Sequence, residues 1–533
     1  MDAQGLAAAL AEWQHLLGPD HVLSDAAALS LAETATFATE RRVPAILRPA
    51  HRADVQEIVR IAARHRVALY PVSTGFNWGY GSRVPTSDAV IVDLGRLNRI
   101  VGFDETLAYV TLEPGVTQRQ LHRFLVERGS RLWMDATGAS PDCSVIGNTM
   151  ERGFGHTPMG DHCGSACGLE VVLPDGSVVD TGFARFEGSK VASLSRWGVG
   201  PSLDGLFSQS NLGIVTRMSV WLMPAPEHFE AFFFMTGRQD GLGPVVDALR
   251  PLRMNGTLRS VMHVGNDYKV LTATSQYPWD RTGGATPLDR DQMARMRSSL
   301  GIGCWNGSGG LYGTRGQVRE AKRLLRRALR GKVDRLQFVD DRIIGLLARF
   351  ATPFKAVTGW DIRRTLGVLR PVYGLMRGVP TDETMASSYW RKKTPPPTDP
   401  DPDRDRCGLL WWSPVVPNTG THALEVADLV DRLLLSHGFE PQMSISFATE
   451  RTLVCVITIS YDRDVPGEDE RAMACFRDLT TELLARGYPP YRLSVARMDA
   501  GGSESYGTLI ETLKKAMDPA GILAPGRYAP PRA

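Results

Sequence analysis

The sequence predicts an α+β protein in two parts: a glycine-rich mixed region, then an antiparallel sheet covered by helices. Three observations carry this. The chain has 533 residues, more than one domain's usual length. Up to residue 225, short strand patterns alternate with helical ones around two glycine-dense stretches. After Pro224 the strand patterns (229–234, 443–447, 453–461) are long and apolar, and they are set apart from helical runs at 317–330, 423–437 and 471–486. That separation belongs to an antiparallel sheet with helices on one face.

In order, residues 52–66 place Val55, Ile58, Val59 and Ala62 on one helical face, with Asp54 suited to the dipole of the first turn. A buried strand, 67–72, runs into PVSTGFNWGYGS at 71–82, the stretch on which the rest depends. Gly75, Gly79 and Gly81 free this backbone to visit φ > 0 and to aim several N–H groups at one point. Such a concavity binds anions, phosphates above all. The spacing is neither a Walker loop nor a Rossmann fingerprint. Strands follow at 89–94 and 108–112, then a helix at 117–128 with Leu121, Phe124 and Leu125 inward. Residues 135–168 hold seven glycines and little periodicity, and such a stretch inside a compact domain is usually functional. Segments 169–173 and 177–181 form a hairpin around Pro174-Asp175-Gly176, and a strand covers 214–222. TPPPTDPDPDRDR at 394–406 reads as a linker or loop. A last helix spans 509–517, and a terminal turn spans 518–528.

A net charge of +3 gives no electrostatic reason for a nucleic-acid or membrane partner. Seven scattered cysteines are no disulfide framework and suit a reducing compartment. The N-terminus lacks a basic n-region, and no apolar run reaches the length of a membrane span. The expected location is the cytoplasm. His162, Cys163 and Cys167 share a loop with no fourth ligand, so they read as packing and no metal is expected.

Taken together, PVSTGFNWGYG, SVIGNTMERGFGHTPMGDH (144–162), GLEVVLPDGSVVDTG (168–182), GPSLDGLFSQSNLGIVTRMSVWLMP (200–224), YRLSVARMD (491–499) and DPAGILAPG (518–526) resemble the vanillyl-alcohol oxidase and p-cresol methylhydroxylase family. The resemblance implies a two-part FAD-binding domain, residues 1–225 completed by 500–533, and a substrate-binding cap at 226–499. FAD carries a pyrophosphate that wants converging amides. The implied cofactor residues are Ser73, Gly75, Asn77, Gly79, Tyr80 and Gly81 in the loop, then Cys143, Ser144, Gly147, Asn148, Gly153, Gly155 and Gly160 in a second wall. Asn211, Gly213, Ile214 and Arg527 complete the set. The wall glycines would let backbone approach the isoalloxazine.

On the substrate side, Tyr80, Tyr491 and Arg492 match the residues that hold a phenolic oxygen in this family. A phenol has a pKa of about 10, and two hydroxyl donors with a guanidinium favour its anion. Asp161 matches the carboxylate near flavin N5. The implied reaction removes a hydride from the benzylic carbon of a para-substituted phenol through a quinone methide, with O2 or another electron acceptor reoxidising the flavin and a homodimer as the assembly. Two alternatives stand beside it: a flavin oxidase of a non-phenolic alcohol, hydroxy acid or natural-product intermediate, and a flavin-binding protein without turnover. Two departures from the family bear on the flavin linkage. Thr452 or Leu453 stands where relatives attach FAD covalently, and Asn77 replaces a histidine used by the berberine-bridge group. The expectation is non-covalent FAD, with a Cys143 thioether as the alternative.

Overall fold

The computed structural model describes residues 2–346 and 362–529. The N-terminal part holds a four-stranded sheet in the order Val22–Leu23, Ile46–Leu47, Val90–Asp93, Leu69–Val72. Its last two pairings are parallel. Helices Ala3–Leu17 and Arg52–His65 share its core through Trp13, Val55, Ile58 and Val59. The second helix starts as the sequence says: Asp54 Oδ2 accepts from the amides of Ala50 and His51 at 2.8 and 3.0 Å. The terminal turn closes the free edge of this sheet. Leu69 N donates to Ile522 O, Ala524 N donates to Leu69 O, and Ile522 and Leu523 join the same core.

A five-stranded antiparallel sheet follows, in the order Ile100–Asp104, Tyr109–Leu112, Ile214–Trp221, Ala166–Val172, Val178–Asp180. The expected hairpin supplies its last two strands. The helix Gln118–Glu127 is capped by the Thr117 hydroxyl and buries Leu121 and Leu125 against it.

The large sheet has eight antiparallel strands. Seven run in the order Arg335–Val339, His228–Thr236, Trp305–Gly313, His263–Asn266, Gln442–Ser446, Thr452–Asp462, Cys407–Trp412, and Val415–Pro417 pairs with Thr452–Asp462. Because side chains alternate along a strand, Met443, Ile445, Cys455, Ile457 and Ile459 all fall on one face. There they pack with residues of helices Leu242–Met254, Arg315–Leu329, Gly420–Ser436 and Glu468–Ala485. The opposite face carries His263, Gln442, Ser444, Ser446, Thr458 and Trp411.

The stretch 394–406 is not a spacer. Asp403 is buried and accepts from Ser82 Oγ at 2.7 Å, Tyr389 Oη donates to Asp405, and Cys407 N donates to Pro402 O. Of the two readings the sequence left open, linker or loop, the structure shows a proline-stiffened loop folded against the glycine stretch.

Candidate active site

The glycine loop leaves strand Leu69–Val72 and needs its glycines for two separate reasons. Gly75, Gly79 and Gly81 all have positive φ, of 81°, 75° and 122°. Two of them are also pressed by the cap. A Cβ on Gly79 would lie 2.6 Å from Trp411 Cγ, and one on Gly81 would lie 2.2 Å from Val495 Cγ2. Main-chain bonds fix the contact: Trp411 N donates to Gly79 O at 3.0 Å and Val495 N donates to Tyr80 O at 2.9 Å. Among the described residues, the amides of Gly75, Phe76 and Gly81 donate to no group of the chain. Free amides on a left-handed loop are what a pyrophosphate requires.

Tyr80, Tyr491 and Arg492 are brought together. Arg492 Cζ lies 4.0 Å over the Tyr80 ring, and the Tyr80 and Tyr491 side chains neighbour one another. Tyr80 Oη shares a 2.7 Å hydrogen bond with Ser413 Oγ, and Trp411 meets the Tyr80 ring edge-on. Arg492 is 7% exposed. Its Nη2 donates to Asn77 Oδ1 and lies 3.4 Å from Glu151 Oε2. Among the described residues its Nε is buried with no partner. Glu151 also pairs with Arg527 and accepts from Tyr528 Oη at 2.8 Å, while Arg527 donates to Tyr70 Oη.

Charge accounting within this cluster is simple: two guanidiniums face one carboxylate, leaving one positive charge. Burial pushes the Glu151 carboxyl up, but Arg527 and Arg492 outweigh it and hold the net pKa below the usual carboxylate value. Burial first, then the neighbouring Tyr491, lifts the Tyr80 hydroxyl well above its ordinary value. At neutral pH Tyr80 is therefore a donor. A buried excess cation with hydroxyl donors around it suits a bound oxyanion.

The second wall has a buried organiser that sequence reading missed. Asp135 accepts from His162 Nε2 at 2.6 Å, from Thr157 N at 2.6 Å and from His156 N at 3.2 Å. His162 Nδ1 meets Asn148 Oδ1 at 2.6 Å. Burial raises the Asp135 pKa, yet the His162 hydrogen bond and charge bring the net value below normal. This explains the glycines. A Cβ on Gly155 would sit 1.5 Å from Asp135 Oδ2, and one on Gly153 would sit 2.1 Å from Asn148 Oδ1. A Cβ on Gly160 would meet Val261, and one on Gly147 would meet Ser73 Oγ at 2.3 Å. Their smallness answers to packing inside the protein as well as to any ring laid against them.

The other expected residues are spread around this centre. Ser144 Oγ caps the turn Val145–Met150 through Gly147 N and donates to Pro114 O. Ser144 N donates to Thr74 Oγ1, tying the wall to the glycine loop. Asn211 Nδ2 donates to Ala524 O, and Ile214 lies in the N-terminal core. A Cβ on Gly213 would meet Val171 and Phe207. Asp161 is exposed, with Oδ1 accepting from Gly164 N at 2.8 Å. Cys143 is buried 3.6 Å from Phe76 O, and burial first, then the charge of Asp142, pushes its thiol up to about 12. Thr452 bonds to Thr449 at a strand end, and Leu453 is wholly buried under the helices.

One cluster carried no sequence signal. The rings of His156 and His263 lie 4.3 Å apart, with Phe154 between His263 and Tyr491. His263 Nδ1 meets Ser446 Oγ, and its Nε2 is buried with no partner among the described residues. Burial, then His156, drives its pKa well below the ordinary value. A lone histidine on a strand looks like any core residue until its neighbour arrives from a distant part of the chain.

The amide loop, the buried cation and the polar cap face fit FAD and an oxyanionic substrate, the site of a flavin-dependent oxidoreductase. Comparison with known proteins agrees. Residues 43–182 match the FAD binding domain model. The chain is 47% identical, over 99% of its length and 98% of the relative's, to the 1'-carboxy-chondrochloren decarboxylase of Chondromyces crocatus. It is 33% identical, over 89% of its length and 85% of the relative's, to the flavoprotein subunit of hydroxylating 4-cresol dehydrogenase from Pseudomonas putida. A 4-ethylphenol oxidase structure from Gulosibacter chungangensis superposes with a TM-score of 0.90 at 29% identity, covering 99% of this chain and 98% of that one. A substrate-bound p-cresol methylhydroxylase gives 0.88 at 29% with the same coverage. This chain belongs to the vanillyl-alcohol oxidase and p-cresol methylhydroxylase family of FAD-dependent oxidoreductases.

Proposed function

We propose that this enzyme oxidises a para-substituted phenol bound as its phenolate. The observation that carries the reading is the buried Arg492, whose Nε has no partner among the described residues and whose guanidinium lies over the ring of Tyr80, itself a neighbour of Tyr491. Those three groups hold the oxyanion, and Glu151 and Asn77 hold Arg492 in place. Gly75, Phe76 and Gly81 offer their amides to the cofactor's pyrophosphate. FAD, when bound, supplies a two-electron acceptor for a hydride. With the oxygen ionised, electron density pushes through the ring towards the para substituent. The benzylic C–H then gives up hydride and leaves a neutral quinone methide. Asp161, in the matched loop, serves the benzylic end.

Two fates of the quinone methide follow from chemistry. Water adds at the benzylic carbon and gives an alcohol. Alternatively, where the para chain carries a carboxylate on the next carbon, the C–C bond to that carboxylate breaks. Its electron pair restores the phenolate and forms a vinylic double bond, and CO2 leaves. The relative named as a decarboxylase of a carboxy compound favours keeping this second fate.

The reading is tested by anaerobic mixing with a panel of 4-alkylphenols, following bleaching of the flavin, and then admitting air. Rapid bleaching by phenols and not by benzylic alcohols lacking the hydroxyl supports it; bleaching by non-phenolic alcohols alone overturns it. The flavin is proposed to be non-covalent, because the Cys143 thiol stays protonated at neutral pH and a thiol is a poor nucleophile. Acid precipitation should leave intact FAD in a yellow supernatant, whereas a flavin mass retained on the chain would refute this.

A further inference from the structure

Among the described residues, several of the buried polar atoms that lack a partner lie on the polar face of the large sheet, Ser460 Oγ and His263 Nε2 among them. Four stand side by side: Gln442 Nε2 and Oε1, Thr458 Oγ1 and Trp411 Nε1. Register makes them one row, since Gln442 pairs with Thr458 and Thr458 pairs with Trp411 across three strands. At the usual strand spacing the row spans about 10 Å. Its Trp411 end touches the Tyr80 ring and Gly79, so it begins at the phenolate site.

Its far end is covered by the short helix Asp267–Thr272. Asn266 caps this helix and also binds the main chain on both sides of Gln442, donating to Pro441 O and accepting from Met443 N. Lys269 springs from this helix and leans over the same polar face. A Cβ on Gly265, which pairs with Ser444, would sit 3.5 Å from Lys269 Cγ. Among the described residues the Lys269 ammonium has no hydrogen bond and no ion pair. Its partial burial lowers its pKa to about 8 with no carboxylate to oppose that. Asp462, further along this face, is taken by Lys392 at 2.8 Å, and the buried Glu440 beside Gln442 is taken by Arg391 at 2.8 Å.

An unsatisfied amide, a hydroxyl and an indole N–H in one buried row, with a partly buried, unpaired ammonium on the helix at its end, make a costly surface to leave without a ligand. Donors outnumber acceptors, and the uncompensated charge is positive. We infer that Lys269 and Gln442 bind a carboxylate carried on the para side chain of the phenolic substrate. This rests on the phenol reading above and narrows it to 4-hydroxyphenyl acids. Thr458 and Trp411 line the path between the two anionic ends.

Three probes separate the possibilities: 4-propylphenol, 3-(4-hydroxyphenyl)propanoate and the neutral amide of that acid. Dissociation constants come from perturbation of the flavin spectrum, and anaerobic bleaching reports turnover. The acid should bind the wild-type holoenzyme at least about tenfold more tightly than its amide, the scale of one hydrogen bond to a charged group. Lys269→Met should bring the two within about twofold, and Lys269→Arg should restore a preference for the acid. If Lys269→Met fails to fold, Gln442→Leu is the second variant and should shrink the same ratio. An acid that binds no better than its amide, or a preference that survives Lys269→Met, overturns the inference while leaving phenol oxidation standing. Failure of all three probes to bleach the flavin overturns the phenol reading itself.

Discussion

The two faces of the eight-stranded sheet are built from alternate residues of the same strands, yet they do opposite work. On the helix side, Met443, Ile445, Cys455, Ile457 and Ile459 are buried and apolar. On the other side, Gln442, Thr458 and Trp411 are buried or partly buried and polar, with atoms that find no partner among the described residues. The first face gains stability by removing apolar area from water. The second gives stability up wherever its polar groups, which have no partner among the described residues, are not met by a ligand or water. A sheet with period two can thus carry its stability on one set of alternate positions in each strand and its chemistry on the other.

If that division holds, the largest stability loss comes from the helix side. Ile457→Ala should cost about 2–5 kcal/mol through lost transfer energy and a residual cavity. Chemical denaturation of the FAD-loaded protein measures it. A cost below about 1 kcal/mol would mean that this core collapses onto the vacancy, and would blur the contrast between the faces.

The largest functional loss lies across the sheet. Arg492→Ala should slow flavin bleaching by 4-alkylphenols by about 2–4 kcal/mol at the barrier, the usual worth of one such donor. Arg492→Lys should not recover it fully, because a point cation cannot both stack on Tyr80 and reach Asn77. Equal losses on phenolic and non-phenolic substrates would assign Arg492 to the support of Glu151 instead.

Much of this was legible beforehand, and the limit has a physical basis. Local signals worked where the cause was local. The glycine loop, the hairpin at Pro174-Asp175-Gly176, and the helices behind the large sheet all follow from turn chemistry and periodicity. The Tyr491-Arg492 pair was legible through its resemblance to a family motif, though an adjacent tyrosine and arginine say nothing alone. Glu151, which fixes Arg492, gave no signal because its partners Arg492, Arg527 and Tyr528 come from the far end of the chain. The wall glycines were noticed, but their cause, Asp135 and Asn148 beneath them, appears only in three dimensions. Lys269 was invisible for the same reason: an unpaired lysine is defined by what fails to surround it.

Asp135 makes a smaller, pH-dependent contribution. Its folded pKa is lowered, so its stabilisation is present above the unfolded value of about 3.9 and is lost as pH falls through the lower folded value. A tenfold difference in proton affinity between the folded and unfolded chains corresponds to about 1.4 kcal/mol. Stability of the wild type should therefore fall steeply below about pH 4, and Asp135→Asn should flatten that limb while lowering stability at neutral pH. An unchanged acid limb in the variant would show that other carboxylates govern acid unfolding.

The smallest expected effect is the sharpest test of the two-faced sheet. Thr458 is the neighbour of Ile457 in the same strand and points the other way. Its Oγ1 is buried and makes no hydrogen bond among the described residues. Thr458→Val keeps the branched shape and the strand preference while replacing that hydroxyl with a methyl group. Removing an unsatisfied buried hydroxyl should leave stability unchanged or raise it by up to about 1 kcal/mol. The unfolding midpoint should stay level or rise, against a marked fall for Ile457→Ala one residue away. Affinity for a polar para chain should drop in the same variant, because the proposed ligand loses the hydroxyl that would meet it. A loss of stability above about 1 kcal/mol would mean that Oγ1 is satisfied in the folded protein by bound water. The polar face would then be a hydrated structural seam, and stability and chemistry would no longer divide by strand parity.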